Sequence, residues 1–206
     1  MLNDIKWLFF DVGSTLVDET ECYNHRIRDA IAGTDITFEE FNEKRLYFSK
    51  QNLKGDIEAL RYFGLAKTPW HHEDEKLYKD SGNVLKILCE KGYRIGVIAN
   101  QSAGTEKRLE SCGLMKYIQL VVASAEEEVA KPDKRIFDIA LKRAGCRPSE
   151  AVMIGDRVDN DKIPAKEMGM MTIWVRQGLG KYWTISDESE KADFTVDNLS
   201  ELLDIF

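Results

Sequence analysis

At 206 residues the chain is long enough to bury one substantial core with a smaller attached module, and 43% hydrophobic with 32% charged residues excludes a disordered or collagen-like chain. A formal net charge of −7 argues against a protein that binds nucleic acid through bulk attraction to phosphates, which needs concentrated positive charge. Cys22, Cys89, Cys112 and Cys146 lie far apart without a C-x-x-C pair, so reduced thiols are expected rather than a zinc knuckle or a disulfide framework.

The first element in chain order is the apolar run Trp7–Phe10 in MLNDIKWLFFDVG. It is too short and too closely flanked by charge for a signal peptide or a membrane span, so the expectation is a cytoplasmic protein with no membrane partner. A long segment of different character follows. Within it Glu21–Ile31, Phe38–Gln51 and Lys54–Phe63 carry apolar residues at helical spacing, with Gly33 and Thr37 marking the break between the first two. Tyr47, Phe48, Tyr62 and Phe63 are expected to pack the interior of this unit, and the polar stretch from Pro69 to Glu75 reads as a hinge.

Beyond it, β-rich runs at Tyr93–Ala99, Ile118–Ala123, Ala151–Ile154, Thr172–Val175 and Phe194–Val196 alternate with helical patterns at Gly82–Lys91, Thr105–Ser111, Asp133–Ala144 and Asn160–Met168. This βα alternation predicts an α/β fold, a Rossmann-like parallel sheet flanked by helices over residues 1–16 and 76–206, with a small helical cap over 17–75. Ligands in such folds bind outside the carboxyl ends of the strands, where a cap excludes water. Trp174 is a core candidate, and Tyr182 and Trp183, after Gly178 and Gly180, are placed at the border of the pocket.

Chemistry concentrates at three points. Asp11 ends the first strand in WLFFDVGSTLVDE, where an acid points into the ligand crevice; as an isolated D-x-G it also fits a plain turn. In IGDRVDND the strand ends at Gly155 and presents Asp156, Asp159 and Asp161, acids that repel one another unless a hard divalent cation sits among them; Asp159 and Asn160 also suit the start of the next helix. Lys131 precedes Pro132 and a helix, which by itself is what a solvated surface lysine looks like.

In this order the elements resemble the haloacid dehalogenase-like superfamily. Asp11 with Thr15–Leu16 fits its D-x-D-G-T-L motif, Asn100 the residue after its hydroxyl position, Lys131–Pro132 its lysine motif, and Gly155–Asp156 through Asp161 its G-D-x-x-x-x-D. The resemblance implies a hydrolase in which Asp11 attacks a phosphoryl group to give an aspartyl-phosphate, while Lys131, Asp156, Asp161 and Mg2+ offset the crowded charge. It implies a metal site of Asp11, the Gly13 backbone carbonyl, Asp156 and Asp161, and substrate contacts from Ser14, Thr15, Asn100 and Gln101. The implied partner is a small phosphorylated metabolite.

Two positions depart from the pattern. Gly13 stands where phosphatases of this family carry a second Asp, the group that protonates the leaving oxygen and later activates water, a contribution of about 10²–10⁴-fold. Ala99 stands where they carry a hydroxyl that holds a phosphoryl oxygen; Asn100, Gln101 and Ser102 are the neighbours able to substitute. His25, His71 and His72 titrate near neutral pH and are candidate replacements for the missing acid, although solvated histidines are the commoner case. Three readings stay open: a phosphatase favouring good leaving groups, a metal- and phosphate-binding sensor without turnover, and a phosphonatase- or dehalogenase-type hydrolase.

Overall fold

The computed structural model describes residues 2–206. Six strands form one parallel sheet: β1 (Trp7–Phe10), β4 (Arg94–Ala99), β5 (Ile118–Ala123), β6 (Ala151–Gly155), β7 (Met171–Val175) and β8 (Phe194–Val196), in the order β5-β4-β1-β6-β7-β8. Two short strands, β2 (Val17–Asp18) and β3 (Lys76–Leu77), pair antiparallel outside it.

β1 is central because it is apolar on both faces, as a parallel strand covered on both sides must be. Leu8 and Phe10 enter the core cluster on one face, and Trp7 and Phe9 enter the other. The alternation repeats in β6, where Val152 and Ile154 face the first cluster and Ala151 and Met153 the second. Helix α4 (Ser81–Glu90) covers the first face with Val84, Leu85 and Leu88. Helix α7 (Lys134–Ala144) covers the second with Ile136, Phe137, Ala140, Leu141 and Ala144, the spacing of one helical stripe. Each large side chain so buried contributes about 1.5–3 kcal/mol.

Between β2 and β3 lie α1 (Thr20–Ile31), α2 (Phe38–Ser49) and α3 (Gly55–Phe63), matching the helices expected there within a residue or two. They share a small core of Ile27, Phe41, Ala59 and Leu60. α2 opens with a capping box in which Thr37 and Glu40 satisfy each other's backbone N–H groups. Phe48 and Phe63 pack on this core, but Tyr47 and Tyr62 do not: they are exposed, and Lys44 lies over both rings. The expectation that all four aromatics fill the interior is corrected here, because helical spacing sets which residues share a face and not how much of that face a small core can cover.

The helix expected over Asn160–Met168 is a wide π-type turn, Val158–Lys162, running into a short α8 (Ile163–Glu167). Helices α5 (Thr105–Ser111) and α6 (Ser124–Glu127) complete the set, and a 3₁₀ segment at Leu199–Asp204 seals the first core face. All four cysteines are free thiols, and none of the described helices is long and apolar enough to cross a membrane.

Candidate active site

The carboxyl ends of β1, β4 and β6 meet where the strand order reverses, the crevice in which open α/β sheets bind ligands. β1 delivers Asp11 there, its backbone N–H fixed on Ile154 O of β6 at 2.9 Å. The chain then folds back in a compact turn: Ser14 N donates to Val17 O at 2.7 Å, and Leu16 N and Val17 N both donate to Val12 O. Ser14 takes a left-handed conformation at φ 55°, a strained choice for a non-glycine residue of the kind found at functional turns.

Lys131 reaches the same point from the loop before α7. Its ammonium spends all three donors, on Asp11 Oδ1 at 2.6 Å, Asp161 Oδ1 at 2.6 Å and Ile98 O at 2.7 Å. Asn100 clamps this loop from the end of β4: its Nδ2 donates to Lys131 O at 2.8 Å, and Lys131 N donates to Asn100 Oδ1 at 2.7 Å. The other oxygen of Asp161 accepts from Arg157 N at 2.9 Å, so this carboxylate is held at both ends. Two glycines permit the crowding. A side chain on Gly155 would lie 2.3 Å from Asp161 Oδ2, and one on Gly180 would lie 2.2 Å from Asp156 O.

Asp11, Asp156 and Asp161 bring carboxylate oxygens within 4.8 Å of one another in a buried setting. Burial, then the charges of Asp161 and Asp11, pushes Asp156 well above the usual carboxylate range. Burial also raises Asp161, to about 6, with Asp11 adding to the rise and Lys131 opposing it. For Lys131 burial favours the neutral form, yet Asp11 and Asp161 outweigh it and hold the ammonium above its ordinary value. Three carboxyl groups gather beside a single ammonium, and the all-oxygen donor set suits a hard divalent ion.

Ser14, Asn100 and Gln101 line a cavity of about 510 Å³ together with Asp11, Gly13, Lys131, Asp156 and Asp161. Thr15 does not reach it: the residue is fully buried, and its Oγ1 finds no hydrogen-bond partner among the described residues. Ala99 is sealed in the core, while Ser102 does border the cavity. Of the histidines only His72 lines it, with Nε2 3.3 Å from Ser102 Oγ and Nδ1 2.7 Å from Glu75. His25 and His71 stack on each other at 3.5 Å and bond to Asp74 and Asp29 away from it. Trp183 borders the cavity; Tyr182 borders a neighbouring one.

Several lining residues went unread in the sequence. Arg26, Lys54, Lys67 and Arg157 bring positive charge to the wall, and Arg26 lies over the Trp70 ring at 5.4 Å. The least expected is Glu19, which is only 8% exposed and accepts from Ser14 Oγ at 3.4 Å. Burial, then Asp11 and Glu75, pushes its carboxyl up to about 8. Its signal in the sequence was only an acid at the start of a helix, which ordinarily means a cap.

Known proteins bear on this site. The family model for haloacid dehalogenase-like hydrolase matches residues 8–175. The glyceraldehyde 3-phosphate phosphatase of Methanocaldococcus jannaschii is 30% identical, with 98% of this chain and 96% of that protein covered. The pyrimidine 5'-nucleotidase YjjG of Escherichia coli is 39% identical, covering 89% of this chain and 95% of its own. Among solved structures, an HAD phosphatase from Thermococcus onnurineus shares the fold at a TM-score of 0.66 and 24% identity, over 98% of this chain and 97% of that one. The HAD-hydrolase YfnB from Bacillus subtilis, solved bound to magnesium, does so at 0.69 and 17%, with 98% of both chains covered. A match over most of the sheet, joined to an acid-and-lysine cluster at its switch point, makes this chain a member of the haloacid dehalogenase-like hydrolases.

Proposed function

We propose that this hydrolase is a magnesium-dependent phosphatase of small phosphorylated metabolites, working in the cytoplasm through an aspartyl-phosphate at Asp11. The observation that carries the reading is the Asp11 carboxylate, held 2.6 Å from the Lys131 ammonium at the floor of a cavity it shares with Asp156 and Asp161. Relatives named for phosphatase and nucleotidase activity, each matching nearly the whole chain, support it.

Asp11 Oδ1 is engaged by Lys131, so the carboxylate is fixed in direction before substrate arrives. Lys131 stays charged and offsets the negative charge that builds as an anionic phosphoryl group approaches a carboxylate. Asp161 and Asn100 orient Lys131, one through its ammonium and the other through its backbone. Ser14 and Gln101, which line the cavity, take phosphoryl oxygens in this reading, and Arg26, Lys54, Lys67 and Arg157 draw a dianion toward the floor. The carboxylates of Asp11 and Asp156, with the Gly13 carbonyl and support from Asp161, fit a magnesium ion, which when bound supplies Lewis-acid neutralisation of phosphoryl oxygens. Residues 17–75 serve as a cap that excludes water from this floor.

The test is hydrolysis of p-nitrophenyl phosphate with and without magnesium, comparing the wild type with Asp11→Asn. Turnover should require magnesium and fall by more than about 10³-fold in the variant, and acid-quenched wild type should carry phosphate on Asp11 by peptide mass spectrometry. Equal rates for the two proteins would remove Asp11 from the reaction.

A further inference from the structure

The family's second Asp is absent at Gly13, but its space is not vacant. A Cβ built on Gly13 would lie 2.4 Å from Glu19 Oε1 and 2.7 Å from both Glu19 Cδ and Oε2. A side chain at position 13 would require the Glu19 carboxyl to swing aside, so the two compete for one volume. Glu19 gets there because the turn after Asp11 doubles back and β2 carries the chain past the tip of β1 before α1 begins.

We propose, resting on the Asp11 phosphatase reading, that Glu19 transfers the proton in both halves of the reaction, entering from the start of α1 the place that Gly13 leaves open.

Among the described residues, neither a capping bond nor an ion pair claims this carboxyl instead. Glu19 holds the cap position of α1 but makes no side-chain capping bond; Thr20 N is satisfied by Asp18 Oδ1 at 2.9 Å. The ion pairs of the floor run through Lys131 and bypass Glu19 among the described residues. Its neighbours are the Ser14 hydroxyl and the Gln101 amide, with the acids Asp11 and Glu75 facing it. A carboxyl buried without a counter-ion costs stability, and its tolerance at the mouth of a reactive cavity indicates a use there. His72, the histidine that lines the cavity, is tied to Glu75 and Ser102.

In the first half, an Asp11 oxygen bonds to phosphorus and the bond from phosphorus to the ester oxygen breaks. The electron pair stays on the departing oxygen, which takes the Glu19 proton and leaves as the alcohol. In the second half, water bonds to phosphorus and gives its proton to the Glu19 carboxylate, while the bond from phosphorus to Asp11 breaks. Inorganic phosphate leaves, and both carboxyls return to their starting state.

A general acid matters most where the leaving oxygen is basic. The experiment measures kcat and KM with magnesium for esters ranging from p-nitrophenyl to alkyl phosphate, in wild type, Glu19→Gln, and the double variant Gly13→Asp with Glu19→Ala. Glu19→Gln should lower kcat for the alkyl ester by about 10²–10⁴-fold and for the nitrophenyl ester by far less, with KM nearly constant. The double variant should recover alkyl turnover, since it moves the acid to position 13 and clears the volume it needs. A Glu19→Gln loss equal for all esters, or no loss, overturns the role of Glu19 while Asp11-dependent turnover still stands. Wild type that hydrolyses no ester overturns both readings. Should Glu19→Gln fail to fold, the double variant decides: folded yet poor on alkyl esters, with the nitrophenyl ester still turned over, it overturns the proposal.

Discussion

Lys131 holds three oxygens with three protons, and two of those oxygens belong to carboxylates. Removing the ammonium leaves Asp11 and Asp161 facing each other in a buried site, where losing one partner of an ion pair costs about 3–5 kcal/mol. Lys131→Met should therefore lower the unfolding free energy read from urea titrations by an amount of that order, with the midpoint falling accordingly, and added magnesium should recover part of it by restoring positive charge. A Lys131→Met midpoint equal to the wild type would show that the acids do not rely on this lysine. The members of this cluster were legible in different ways: Asp11 and Asp156 directly follow strands, Asp161 belongs to the acidic run after β6, and Lys131, which alone reads as a surface lysine, was marked only by the family resemblance. Glu19 was not legible: its contact with Gly13 exists only because the five intervening residues of turn and strand fold back on themselves, and no periodicity encodes that. Thr15 differs the other way, fitting a motif while its side chain is buried and does not line the cavity.

Elements with standard periodicity were the ones sequence patterns could read, and the exceptions cluster near the site. The strands of the sheet and helices α1 to α5 fall close to their expected bounds, whereas Val158–Lys162 winds as a π-type turn in order to aim Asp161 back at Lys131. Insertions of this kind in helical turns gather at functional sites, and the sequence shows only the acids and not the winding. At the opposite end of β6, Glu150 anchors the strand's entry. It accepts from Lys6 Nζ at 2.6 Å and from Arg147 N at 2.9 Å, and these bonds, Lys6 foremost, lower its carboxyl from 4.5 to about 2. A carboxyl depressed in the folded state adds stability that is complete above its ordinary value and fades as the pH falls toward 2. Thermal melts of Glu150→Gln should thus lie below wild type at neutral pH and converge with it between pH 4.5 and about 2. Parallel curves across that window would count against the anchor.

At the scale of the molecule, the helical segment and the sheet meet over the cavity through a small number of polar contacts. Asn52, in the turn after α2, donates to Thr184 O at 2.8 Å and accepts from Thr184 N at 2.8 Å, a paired clasp to the loop beyond β7. Two such bonds contribute about 1–3 kcal/mol together. Asn52→Ala should speed amide exchange in the Leu53–Asp56 stretch and at Thr184 by up to about a hundredfold, leaving β1 and β6 protected; unchanged exchange would mean that other contacts hold this edge. The sheet itself needed no such contacts to be read, since two-faced apolar strands specify it, but the closeness of the insertion to the floor is a matter of side-chain detail. One feature of that floor reaches beyond catalysis. Trp70 and Trp183 border the cavity, and the Trp174 indole donates to the Asp156 carbonyl at 2.9 Å, leaving Trp7 alone of the four tryptophans remote from it. Three of the four indoles thus sit where a bound ligand would change their surroundings, and the ultraviolet emission of the folded chain should shift when something enters the crevice.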